Sequence, residues 1–274
     1  MKLNLQTGFT VCAITLLIIG GCSSEDAGTG SAGTDSPSAE DLRAIYQAAI
    51  ADERRPAEDV ARDAGRKPDQ VLEFFGVTPG QRVLDISSGN GYFTRIISEV
   101  VGNDGSVVAN NSGSRVDEEF KANLQEQYES YDNIELNYET PETISLPDNS
   151  VDTVLLALVV HHWHYAEEWG GFVPTIALQR YDNIYRMLKP GAILAVIDHE
   201  AQPGMARRDS SEIHRITSEN AIDDITLAGF VLDPETDISP MHANAPGDDI
   251  TIRWAREPRD ATQRIVHRYR KPMN

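Results

Sequence analysis

The sequence predicts an α/β fold, a doubly wound and mostly parallel sheet of seven strands with extra helices ahead of it. Three observations carry this. Residues 83–93, VLDISSGNGYF, read as a short apolar strand, a glycine-bearing turn and the start of a helix. Downstream, segments of helical and strand period alternate, as a parallel sheet with crossover helices requires. Residues 152–160 and 192–197 are almost unbroken apolar runs, the mark of central strands buried on both faces.

The elements follow in order. Ser38 starts a helix, with Asp41 as its capping-box partner and Leu42, Ile45 and Ala49 at helical spacing. A second helical piece follows Arg55 and Pro56. Its Asp59, Arg62, Asp63 and Arg66 lie three and four apart, so they read as an ion-paired, solvated face, with a lid or substrate-facing role as the alternative. Pro68 opens a third helix that ends at Gly76, and Pro79 and Gly80 turn the chain into the first strand. Residues 106–109 form the second strand. Val116, Phe120, Leu124 and Tyr128 recur every four residues and make 115–128 an amphipathic helix. Ile134, Leu136 and Tyr138 alternate as a third strand, and 152–160 is the fourth. Residues 175–188 are helical, 192–197 are the fifth strand, and 220–228 are a helix closed by Gly229. Strands at 230–232 and 264–269 complete the sheet after a loop rich in Pro and Asp.

With 274 residues, 40% of them hydrophobic, the chain can bury one full-sized core. Acids outnumber bases 43 to 24, for a formal charge of −19, and no basic stripe is present. Nucleic-acid binding through phosphate neutralisation is therefore not expected, and the acidity reads as solubility.

The first residues are of another kind. Lys2 precedes an apolar run, 11–19, too short to span a bilayer and suited to a signal peptide. It ends in Ile19, Gly20, Gly21 and Cys22, which resembles the lipobox of bacterial lipoproteins. Residues 1–21 would then be removed and Cys22 lipidated as the mature N-terminus. Residues 23–38 hold no large apolar side chain and read as a flexible tether, holding the domain on the order of 20 Å from its anchor. The expected division is thus 1–21 signal peptide, 22–38 lipidated cysteine and tether, and 39–274 folded domain. Ser23 stands where an Asp would signal inner-membrane retention in Gram-negative bacteria, so the expected place is the cell envelope, on the periplasmic face of the outer membrane. With Cys12 cleaved off and Cys22 lipidated, no disulfide and no thiol nucleophile remain.

In the central turn, Gly89 and Gly91 let backbone approach a ligand such as a phosphate, ribose or amino-acid moiety, and the helix beyond presents unpaired N–H groups. The pattern is SxGxG, with Phe93 and Thr94 where GxGxxG would carry its third glycine, so a nicotinamide cofactor is not specified.

Three stretches carry a resemblance: VLDISSGNGYFT; NIELNYETPETISLPDNSVDTVLLALVVHH; and IYRMLKPGAILAVIDH. They are similar to the first, middle and fifth-strand signatures of class I S-adenosylmethionine-dependent methyltransferases, over roughly residues 67–232. RPAEDVARDAGRKPDQVLEFFGVTPG, the Asp198–His199 pair, HRI at His214 and the terminal KP resemble, more narrowly, a family of exported predicted methyltransferases. The resemblance implies the Rossmann-like methyltransferase fold and S-adenosylmethionine as cofactor. It implies that Asp85 and the turn of Ser87, Ser88, Gly89 and Gly91 hold the methionine end. Asn111 falls where an acid usually meets the ribose, and Thr140, followed by Glu142, falls where an Asp often meets the adenine amino group. Ser87, Asn111 and Thr140 depart from the family's usual Gly, acid and Asp. An Asn offers the ribose a weaker acceptor than a carboxylate, so reduced affinity is expected.

Methyl transfer is mostly positioning, and an uncharged acceptor must also lose a proton. Histidines at strand ends suit that task. His161 and His162 follow the fourth strand and His199 ends the fifth. His162 and His199 are the expected bases, with His214 as an outside candidate. His161, His162 and His164 form HHWH, and an extended strand would aim 162 and 164 to one side. A metal there would need a further ligand, His199 or Glu200, and no metal is assigned. Trp163 and Trp169 bracket the segment and read as packing.

The leading functional expectation is a membrane-tethered methyltransferase acting on a small or periplasmic acceptor. Its cofactor is made in the cytoplasm, which gives weight to two alternatives: a non-catalytic lipoprotein binding a small nucleoside-like ligand, and a metal-assisted hydrolase built on the histidines.

Overall fold

The computed structural model describes residues 37–114, 116–165, 174–234, 248–253, 260 and 262–273; the segments expected to be a signal peptide and most of a tether, with Arg115 and Trp169, lie outside them. Pro37–Asn274 is one compact unit.

Helix α1 (Ala39–Ile50) starts as its sequence dictates. The Asp41 N–H donates to Ser38 Oγ at 3.2 Å, and the Ser38 N–H donates back to Asp41 Oδ2 at 3.1 Å. The next stretch corrects the expectation of a solvated ion-paired face. It forms two single turns, α2 (Ala57–Val60) and α3 (Asp63–Arg66), whose charges reach to other parts of the chain rather than to one another. Asp59 pairs with Arg95, Asp63 with Arg55, and Arg62 and Arg66 with Asp260. Helix α4 (Pro68–Phe75) has proline in its first turn and ends on Gly76 at φ +67°.

Seven strands follow: β1 (Arg82–Ile86), β2 (Ser106–Asn110), β3 (Ile134–Asn137), β4 (Val151–Ala157), β5 (Leu188–His199), β6 (Val231–Leu232) and β7 (Arg264–Arg270). Their order in the sheet is β3-β2-β1-β4-β5-β7-β6. β1 to β5 are parallel, and β7 runs antiparallel to both neighbours. The fold is therefore the doubly wound, mostly parallel sheet the alternating pattern predicts. The crossover and flanking helices are α5 (Tyr92–Val101), α6 (Glu118–Gln127), α7 (Thr175–Met187), α8 (Arg207–Glu212) and α9 (Ser218–Leu227).

Strand alternation sorts the core into layers. Leu84, Ile86, Val154, Leu156, Leu194 and Val196 face α7 and α9, with Tyr181, Ile184 and Ile225. Val83, Val107, Leu155, Ala195 and Ile197 face the other way, onto α1, α4 and α5, with Tyr46, Leu72, Phe75, Ile96 and Val100. Asp85 shares the second face with Val83, which places a carboxyl group where hydrocarbon would otherwise pack.

The fourth strand is shorter than the apolar run predicts. It stops at Ala157, Leu158 turns out at φ +61°, and Val160–His162 close a 3-10 turn. The paired histidines thus sit on a helical turn beyond the strand, and the two-residue alternation expected of them does not apply.

Two positions in the glycine turn make opposite predictions. Ser87 stands at φ +59°, a conformation that disfavours any side chain. Ser87→Gly is expected to stabilise the protein by up to about 1 kcal/mol, since relieved strain exceeds the added unfolded-state entropy. At Gly91, φ is +83° and a Cβ would lie 1.9 Å from Tyr128 Oη. Gly91→Ala should cost about 2–4 kcal/mol. Denaturant unfolding of the two variants measures both.

Candidate active site

The strand order reverses between β1 and β4, whose crossovers leave to opposite faces, and a crevice opens outside their carboxyl ends. A cleft of about 590 Å³, its open mouth included, lies there. It is lined by Asp85, Ser87, Ser88, Gly89 and Asn90, by Tyr92 and Phe93 at the start of α5, by Ala157 at the end of β4, and by Asp59, Arg62 and Arg66. The two short N-terminal turns therefore face the cleft, as their alternative reading had it.

The turn is held by Asn111. Its Oδ1 accepts from the Gly89 N–H at 2.9 Å, and its Nδ2 donates to Ser88 Oγ at 2.7 Å. The residue that sequence resemblance sets beside a ribose braces the turn with both ends of its amide. Thr140 and Glu142 lie outside the cleft lining. The Thr140 and Thr143 hydroxyls are 3.1 Å apart, and Glu142 Oε2 accepts from Arg180 Nε at 3.0 Å.

Asp85 is 2% exposed and accepts from Thr94 Oγ1 at 2.7 Å. Burial pushes its carboxyl up to about 7, against the pull of Thr94 and Arg66. Arg62 and Arg66 line the same cleft. Asp260 receives Arg62 at 2.7 Å, Arg66 at 2.9 Å and Arg264 at 3.0 Å, three guanidinium groups on one carboxylate. Burial opposes its charge, yet those three hold Asp260 well below the usual range. The surplus positive charge faces the cleft through Arg62 and Arg66. Asp85 and the arginines line one cleft and suit a zwitterion, whose ammonium would favour the ionised form of Asp85 and whose carboxylate would pair with a guanidinium.

Beyond the end of β4 the histidines gather. Asp198, fully buried on β5, accepts from the His161 N–H at 2.8 Å and from the His199 N–H at 2.7 Å, and lies 2.6 Å from His161 Nδ1. It locks the 3-10 turn to the end of β5. The ring centroids of His161 and His162 are 4.0 Å apart, those of His162 and His214 5.1 Å, and those of His161 and His214 5.7 Å. Ring nitrogens of the three lie within 4.8 Å of one another. His214 arrives from the end of α8, which sequence periodicity did not reveal.

His164 and His199 stand apart. His164 is buried, bonded through Nδ1 to the His161 carbonyl and through Nε2 to Ser210 Oγ. His199 Nδ1 is 2.8 Å from Thr262 Oγ1, and burial, despite Asp198, drives its pKa down to about 3. Burial so weakens the basicity of His199 that it is less suited than the exposed His162 to the role of base expected of both. Glu200, the other suggested metal partner, accepts from Gln263 Nε2 at 2.6 Å. Trp163 is buried edge-on against Tyr181, as packing.

Because Asp85 ionises near 7 in the folded chain and near 3.8 when unfolded, its burial opposes folding increasingly as pH rises between these values. Asp85→Asn should therefore raise the unfolding midpoint at pH about 8 and give a gain that shrinks as pH falls toward about 4. Thermal denaturation across that range measures it.

Comparison with known proteins agrees with this geometry. Residues 84–196 match the family described as a methyltransferase domain. The ubiquinone/menaquinone biosynthesis C-methyltransferase UbiE of Ectopseudomonas mendocina is 30% identical over 134 residues, 49% of this chain and 47% of that protein. The chain thus spans about half the length of the curated relatives it matches. Among solved structures, an S-adenosylmethionine-dependent methyltransferase from Aquifex aeolicus superposes with a TM-score of 0.50 at 23% identity, covering 70% of this chain and 89% of that one. The [4+2]-cyclase SpnF superposes at 0.53 and 16% identity, covering 85% and 93%. The fold therefore hosts more than one chemistry. Residues 84–196 thus match a methyltransferase domain, within a sheet whose strand order and cleft are those of the doubly wound fold.

Proposed function

We propose that the protein is an S-adenosylmethionine-dependent methyltransferase acting on a small-molecule acceptor, and that a lipidated Cys22 holds it in the cell envelope. One observation carries the reading: a cleft at the strand-order reversal, lined by Asp85, Arg62 and Arg66 together with the glycine turn and Ala157 at the end of β4. Asp85 and the arginines fit the ammonium and carboxylate of the cofactor's methionine end, and the glycine turn admits it without side-chain obstruction. Bound there, the cofactor supplies an electrophilic methyl group.

The protein's own share is positioning and charge. Asn111 keeps the turn open, and Tyr92 and Phe93 wall the cleft. An acceptor would enter at the ends of β4 and β5, over His162 and His214. The membrane anchor and the periplasmic position rest on the lipobox-like run before Cys22; among the described residues no helix is long and apolar enough to cross a membrane.

Calorimetric titration of S-adenosylmethionine and S-adenosylhomocysteine tests the cofactor. A dissociation constant near ~1 µM, about −8 kcal/mol, is expected, with loss of at least ~10-fold in Asp85→Ala. No heat to roughly millimolar ligand with folded protein would remove the assignment. For the anchor, wild type should sediment with membranes and Cys22→Ala should not carry lipid; equal lipid labelling of both would end that part of the reading.

A further inference from the structure

We infer that His161, His162 and His214 form a binding site for one divalent transition-metal ion of the zinc type. It stands on geometry of its own and does not depend on methyl transfer. Three imidazoles with nitrogens inside 4.8 Å match the donor set of a site that keeps a coordination position open. With metal–nitrogen bonds of about 2.0–2.1 Å, the nitrogens would close to roughly 3.4 Å, a small rotation for exposed His162 and partly exposed His214. Neutral nitrogen ligands without hard oxygens favour zinc over magnesium or calcium.

Two further features point to a ligand. The first is Asp198, buried and 2.6 Å from His161 Nδ1, which leaves Nε2 as the nitrogen that would bind a metal. A carboxylate behind a histidine fixes the tautomer and orientation that coordination needs. The second is the backbone at His214. Helix α8 ends in the reciprocal hydrogen bonds His214 N–H to Ser211 O and Arg215 N–H to Ser210 O, both 2.9 Å, a terminus whose left-handed residue is ordinarily glycine. Here it is histidine, at φ +55°. The adjoining chain is tied down, since the Ile216 N–H donates to the His199 carbonyl at 2.9 Å. A strained conformation so held puts the third ring beside the other two. Arg253, the nearby cation, is exposed and screened by solvent.

The test uses tag-free full-length protein with Cys12→Ser and Cys22→Ser, so that thiolates do not compete, titrated with Zn²⁺ by calorimetry and with Co²⁺ by visible absorption. One ion per chain in the micromolar range or tighter is expected, with a tetrahedral Co²⁺ spectrum. His162→Ala and His214→Gly should each abolish it, while His214→Gly, relieved of strain, unfolds no earlier than its parent. Asp198→Asn should weaken binding by about 10- to 100-fold. Absence of binding by the parent at roughly millimolar Zn²⁺, or equal binding by the parent and the His162→Ala and His214→Gly variants, would overturn the site.

Discussion

A parallel sheet whose strand order reverses must send successive crossovers to opposite faces, and no helix can cover the gap that opens at the reversal. In this chain the gap lies between β1 and β4, and most of the chemistry sits around it. Backbone leaving those two strands has to turn sharply. Ser87 and Leu158, one residue past each strand, both adopt positive φ, at +59° and +61°. Of these two, Ser87 lines the cleft, while Leu158 packs against the core.

The second theme is buried charge. Asp85, Asp198 and Asp260 lie inside or nearly inside the protein, together with Arg66, Arg95 and Arg264. Such groups add little net stability, because desolvation offsets most of the attraction. Their contribution is geometric. Asp260 draws α3, with Arg62 at its start, and β7 together, and Asp198 joins the end of β5 to the turn after β4. Asp85, with a hydroxyl but no cation in direct contact, is the one of the three whose ionisation burial opposes successfully. A cleft lined by an under-neutralised carboxyl and by excess guanidinium is prepared for a zwitterionic ligand.

Much of the fold was legible in the sequence. The capping box at Ser38 and Asp41, the glycine stop at Gly76 and the apolar runs of β4 and β5 each express a local rule, and the structure follows them. The candidate site was legible in part. The SxGxG turn is local, and Asp85 at the end of an apolar strand marks itself. Asn111 could be placed near the turn by position, but its role as a brace depends on two bonds across 22 and 23 residues. The run of Asp and Arg in 59–66 looked like a solvated ladder because its partners, Arg95 and Asp260, are remote in sequence.

The sequence by itself determined the layered α/β architecture, since hydrophobic period, turn glycines and helix caps act over a few residues and are written where they act. Tertiary structure decided which polar groups meet. Three neighbouring histidines read alike in HHWH, yet the 3-10 turn sends His164 into the core, presents His161 to Asp198, and leaves His162 to face His214 from another helix. The partners of His161 and His164 lie 37 and 46 residues away, at Asp198 and Ser210. Such distances carry no periodic signal, and only the folded chain brings their ends together.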